Sequence, residues 1–242
     1  MVNPINGKRE TNFFIFTGLI LLFLLLTFNF ELAIVYIFMM VVSQWWYLKL
    51  DSPIPIERTI KNRTGAFFRA LIAYAVFLII VTLVLKLPPF LSAVQEQLKI
   101  TDITTQSIFQ LLATTTPRLE GSPVFTILAW GLIVPLIETG FFHGNLFAGL
   151  AEYARKQRGI NVSTTKLTTA TIILILTIAA LFALFHITAK GVGTIPLLIT
   201  FIFSIISSIM VIRDQETSSA MQFHIISNTT VVLSTLGLLP SF

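Results

Sequence analysis

Three histidines occur in the chain, His143, His186 and His224, and each lies in or at the edge of an apolar stretch long enough to cross a membrane. Glu138, the one acidic residue deep inside such a stretch, lies close to the first of them. An ionisable group at the centre of a bilayer costs ~2.5 kcal/mol or more, so side chains retained there are expected to have work to do. These residue types suit hydrolysis of a peptide bond, which needs a base for water, an acid for the leaving amine and donors for the developing oxyanion. Glu138 is the candidate base, and His186 could share or relay its proton. His224 and Asn228 are four residues apart, so one helical face presents two hydrogen-bonding groups that can hold an oxygen between them. Phe182 and His186 share a face by the same spacing.

Each of these features also has a plainer reading. A histidine at a helix end, as His186 is expected to be, is usually interfacial, and His224 with Asn228 could simply join two helices, a contact worth ~0.6 kcal/mol on average. Gly140, Gly144 and Ala148 form a small-residue ridge that reads as a close helix contact. The sequon at Asn228 lies inside a span and carries no weight. Glu138, His186 and His224 are also a donor set that zinc takes, though without a His-Glu-x-x-His helix three separate helices would have to converge. No other cofactor is expected.

These residues must be positioned by membrane helices. With 55% hydrophobic and 11% charged residues and a mean hydropathy of +0.87, a water-soluble domain of this length could not hide its apolar surface. The expected fold is all-α, a multi-spanning bundle of about seven helices, or eight. Apolar segments run at roughly 13–29, 32–48, 66–86, 123–151, 168–187, 192–212 and 218–238. The first follows Lys8 and Arg9 but lacks a small-x-small cleavage site, and reads as a retained anchor. Residues 87–122 form a long connection that opens with Pro88-Pro89 and suggests two short interfacial helices, either a lid or a passive belt. No internal repeat is visible, and the whole of 1–242 reads as one integral membrane domain.

The net charge of +5 is expected to set topology rather than to bind nucleic acid. With the N-terminus cytoplasmic, Lys8, Arg9, Lys49, Arg58, Lys61, Arg63, Arg69, Arg155, Lys156, Arg158, Lys166 and Arg213 fall on that side, against Lys86, Lys99, Arg118 and Lys190 on the other. The absence of cysteine removes disulfide, thiol and palmitoyl chemistry.

Taken in order, Glu138, then Phe182-x-x-x-His186, then His224-x-x-x-Asn228 resemble the signature of the CPBP family of intramembrane CAAX proteases and bacteriocin-processing enzymes, also called Abi-like. That signature runs Glu-Glu-x-x-x-Arg, Phe-x-x-x-His, His-x-x-x-Asn, and Phe142-x-Gly144-x-Leu146 is similar to its Phe-Arg-Gly-x-Leu continuation. The resemblance covers approximately 123–232. It implies an intramembrane endopeptidase in which Glu138 and His186 activate water and His224 and Asn228 polarise the carbonyl. Its substrate would be the tail of a lipid-modified protein or the leader of a small secreted peptide, in a prokaryotic plasma membrane or related organelle membrane.

Two positions depart from the signature: Thr139 replaces the second glutamate and His143 replaces the arginine. Removing one member of a buried ion pair costs about 3–5 kcal/mol, whereas replacing both removes the penalty, so a Thr139–His143 hydrogen bond along the helix is expected instead. His143 then reads as structural. The departures keep open a catalytically silent scaffold that binds another membrane protein. A proton or metal transporter with Glu138 and the histidines as relay is a further alternative, disfavoured by the lack of internal symmetry. The segment boundaries raise one conflict. They put His186 near the outer end of the fifth span and His224 near the inner end of the seventh, so the two can meet only if boundaries shift or a helix is broken or tilted.

Overall fold

The computed structural model describes residues 30–49, 63–104, 122–160, 167–187 and 193–238, together with positions 107, 108, 111 and 162. They form an all-helical bundle, with no strand among the described residues. In chain order the helices are α1 (Phe30–Lys49), α2 (Arg63–Leu85), α3 (Pro88–Leu98), α4 (Pro123–Arg158), α5 (Thr169–Phe185), α6 (Thr194–Asp214) and α7 (Ser218–Thr235). Six of the seven expected spans coincide with a helix, and the expected anchor at 13–29 lies outside the described residues. The amphipathic start of the long connection is α3, while most of 105–121 is likewise outside them.

Local chemistry explains the ends. Ser122 caps α4 by accepting from the Val124 N–H at 3.3 Å, with Pro123 in the first turn where its missing N–H costs nothing. Gly159 closes the same helix in the left-handed conformation, φ +62°. Thr168 caps α5, accepting from the Thr171 N–H at 3.2 Å. Pro88 and Pro89 start α3 and Lys99 ends it in the left-handed region.

Three helices, Thr64–Leu85, Pro123–Arg158 and Thr194–Asp214, are long and apolar enough to cross a membrane, and Ala33–Ser43 and Thr169–Phe185 are shorter apolar stretches. α2 turns Phe67, Phe68, Ile72, Ile79 and Leu83 outward, a surface that only lipid or another apolar partner would solvate well. The protein is an integral membrane protein. α4, α6 and α7 are more enclosed, and α7 packs against α2, α4 and α6. Its residues Ser218, Ser219, His224 and Ser227 are buried, so the most polar helix stands where the others shield it.

α4 is not a uniform α-helix. Ile127–Ile133 and Thr139–Leu146 are π-helical, and the five α-helical residues Val134–Glu138 lie between them. The first π stretch leaves carbonyls without their usual donors. Val134 sends its N–H back to the Ala129 carbonyl, and Pro135 has no N–H to give to Trp130 or to Gly131, four residues back. α7 supplies the replacement donors: Asn228 Nδ2 reaches the Trp130 carbonyl at 3.1 Å and Thr229 Oγ1 reaches the Gly131 carbonyl at 3.2 Å. Close approach demands a glycine at 131, where a Cβ would stand 2.9 Å from Thr229 Oγ1. At Gly144, within the ridge expected with Gly140 and Ala148, a Cβ would make an ordinary 3.5 Å contact with Thr217.

Candidate active site

Glu138 ends the short α-helical turn of α4 and is 2% exposed. Its Oε2 lies 3.5 Å from Nε2 of His186, at the end of α5, and 3.5 Å from Nε2 of His224, on the second turn of α7. Three side chains from three helices thus point at one another, as the sequence reading expects. The conflict over depth does not arise in the structure, because both imidazoles reach the same carboxylate oxygen. Phe182, in the last turn of α5, lies 6.0 Å from Phe203, nine residues into α6. Phe203 in turn lies 4.8 Å from the His224 ring.

The spacing of Phe182 and His186 has a backbone reason as well as a side-chain one. His186 Nδ1 lies 2.7 Å from the Phe182 carbonyl. A carbonyl can only accept, so Nδ1 carries a hydrogen, and Nε2 is the ring nitrogen turned toward Glu138. The Phe182 ring meets all three histidines, with centroids 5.3 Å from His143, 4.4 Å from His186 and 5.9 Å from His224. Phe142 packs edge-on against Phe182 at 5.1 Å, and Phe203 stacks on Phe223 at 4.5 Å. This aromatic floor restricts the imidazoles to few orientations.

Glu138 has a partner that the sequence reading missed. Tyr36, buried on α1, donates its hydroxyl to Oε1 at 2.9 Å. With Oε1 engaged, Oε2 is the oxygen that faces both histidines. α1 is held in place by a second buried polar contact, from Asn145 Nδ2 to the hydroxyl of Ser43 and, at 3.1 Å, to its carbonyl.

The expected Thr139–His143 bond does not form. Thr139 Oγ1 bonds Nδ1 of His224 at 2.9 Å, and Nε2 of His143 bonds Ser204 Oγ on α6 at 2.9 Å. The expectation assumed α-helical spacing, but Thr139–Leu146 is π-helical, so the angular step that brings i and i+4 together does not apply there. His143 is fully buried beside Phe182, and its Nδ1 meets no hydrogen-bond partner among the described residues. Asn228 shares the His224 helix, but its amide donates to the Trp130 carbonyl rather than reaching Glu138 or a histidine, which leaves its second amide hydrogen for other work. Among the described residues no group of three or more His, Asp or Glu side chains is arranged to hold a metal ion.

A buried carboxylate and two imidazoles, carried by separate helices, form a compact polar site inside an integral membrane protein. Residues 120–230, which contain every one of these groups except Tyr36 and Ser43, match the family model described as type II CAAX prenyl endopeptidase, Rce1-like. The matched region nearly coincides with the 123–232 expected from the motifs, and the resemblance to CAAX proteases is borne out there. No curated protein and no solved structure matches the chain.

Proposed function

We propose that the protein is an intramembrane endopeptidase of the CAAX protease type, in which Glu138 and His186 activate water and His224 and Asn228 stabilise the oxyanion. The convergence of Oε2 with two Nε2 atoms at 3.5 Å carries this reading. Glu138 Oε2 and, in the neutral ring, Nε2 of His186 are both acceptors, so a water between them would donate one hydrogen to each and turn a lone pair toward a peptide carbonyl. The proton it gives up passes to the leaving amine from the same Glu138–His186 pair. On the opposite side His224 Nε2 and the free amide hydrogen of Asn228 would receive the carbonyl oxygen as it becomes negative. The aromatic floor keeps bulk water out, which strengthens each of these interactions.

The substrate class follows from the family resemblance: a C-terminal tail carrying a lipid, or a small secreted leader peptide, presented from the bilayer. The positive charge pattern favours a cytoplasmic N-terminus, with 152–167 on that side. Thr139 and His143 support a second reading, a silent member that binds another membrane protein.

The two separate cleanly with the purified protein in detergent and a prenylated C-terminal peptide. Glu138→Gln and His186→Ala should each reduce turnover by at least ~10² to 10⁴. Full activity in Glu138→Gln would sink the peptidase reading and leave the scaffold. Loss of activity to a chelator, restored by zinc, would instead make Glu138, His186 and His224 metal ligands.

A further inference from the structure

Thr139 is 1% exposed, and among the described residues its hydroxyl has one partner, Nδ1 of His224 at 2.9 Å. Other threonines in these helices donate to the carbonyl four residues back, as Thr82 does to Leu78, Thr200 to Pro196 and Thr230 to Ile226. The Thr139 hydroxyl does not make this bond to the Pro135 carbonyl and is turned instead to His224. The hydroxyl hydrogen must go somewhere, because a buried donor left without an acceptor is costly. Nδ1 of His224 is the acceptor within reach. The far side of the ring agrees, since Nε2 faces Glu138 Oε2, an acceptor, at 3.5 Å.

From these contacts we infer that Thr139 donates to Nδ1 of His224 and holds the ring as the neutral Nε2–H tautomer, so that Thr139 is the positioning residue for the oxyanion donor. The two rings beside Glu138 are then opposite tautomers. His186 carries its hydrogen on Nδ1, fixed by the Phe182 carbonyl, and offers a lone pair, while His224 carries its hydrogen on Nε2 and offers a donor. One can accept a proton from water while the other binds the carbonyl oxygen. An ionised glutamate at 139, as in the resembled signature, could only accept and would require a hydrogen on Nδ1 of His224. The departure at Thr139 therefore changes the direction of one hydrogen bond and still leaves His224 a donor at Nε2.

The catalytic consequence rests on the proposed peptidase reading, but the tautomer does not, and the test keeps them apart. Full-length protein labelled with ¹⁵N-histidine in detergent has three imidazoles, which His143→Gln and His186→Gln assign by subtraction. His224 should show a protonated Nε2 and an unprotonated, hydrogen-bonded Nδ1. Thr139→Ser should keep this pattern, and Thr139→Val should mix the tautomers and lower kcat by up to ~10²-fold with KM little changed. A hydrogen on Nδ1 of His224 in the wild-type protein, or an unchanged pattern in Thr139→Val, would overturn the inference. If the wild-type protein cuts no peptide, the ring spectra still decide the tautomer, and it is the peptidase reading that falls.

Discussion

Changing Tyr36 to Phe removes one oxygen atom and, with it, the hydroxyl that donates to Oε1 of Glu138. The bond is 2.9 Å long and both residues are buried, at 3% and 2% exposure, so water cannot step in cheaply. A hydrogen bond to a charged group is worth ~1.5–3 kcal/mol, and that is the expected loss of stability. If the same bond fixes the carboxylate for catalysis, each 1.36 kcal/mol is a decade in rate, so turnover should fall by roughly 10- to 10²-fold. This is less than the loss expected for Glu138→Gln, because the base is still present. Unfolding in mixed micelles measures the first quantity, and cleavage of a prenylated peptide measures the second. The cycle with Glu138→Leu isolates the pair: without the carboxylate, Tyr36→Phe should cost less than it does in the wild-type background. Equal destabilisation by Tyr36→Phe in both backgrounds would show that the bond does not contribute, and that α1 only packs beside the site.

Three further outcomes follow from the same geometry. Asn228→Ala should lower kcat by ~10² to 10³ if the amide is an oxyanion donor; a loss of stability with kcat preserved would restrict Asn228 to bracing Trp130. Gly131→Ala should destabilise by ~1–3 kcal/mol in micellar unfolding, because its Cβ would stand 2.9 Å from Thr229 Oγ1, and Thr229→Ala should relieve most of that cost. Single cysteines placed at 60 and 160 should resist an impermeant thiol reagent in intact cells, and labelling of both from outside would invert the proposed orientation.

The parts of the site that were readable in the sequence are those whose residue type is expensive in an apolar stretch. Glu138, His186 and His224 stand out for that reason, and the structure brings them together. Tyr36 did not stand out, because a tyrosine among apolar residues is as well explained by packing or by an interface. Ser204 was equally silent, since a serine costs little on a membrane helix whether or not it holds His143. The Thr139–His143 pairing failed because a spacing rule presumes regular α-helical geometry, and nothing so short as the run from Thr139 to Leu146 declares a π-helical turn. Pro135 did carry a signal. Its missing N–H frees carbonyls, and two donors at Asn228 and Thr229 were available to meet them, but the pairing is visible only once α4 and α7 are side by side.

The polarity of α7 bears on how the protein can be made. Thr194–Asp214 is apolar enough to enter a bilayer on its own merits, whereas Ser218–Thr235, with its serines, glutamine, histidine and asparagine, is not among the helices that reach that level. A segment of this kind pays a penalty in lipid at every buried polar group until partners receive them. The link from Gln215 to Thr217 is only three residues long, and Arg69 of α2 binds Asp214 at its entrance with Nε to Oδ2 at 2.9 Å. Entry of α6 and α7 as a hairpin against α2 and α4 would let each polar group of α7 meet its partner on entry. His224 and Asn228 would on that route join the site after the helix that carries Glu138 is in the membrane.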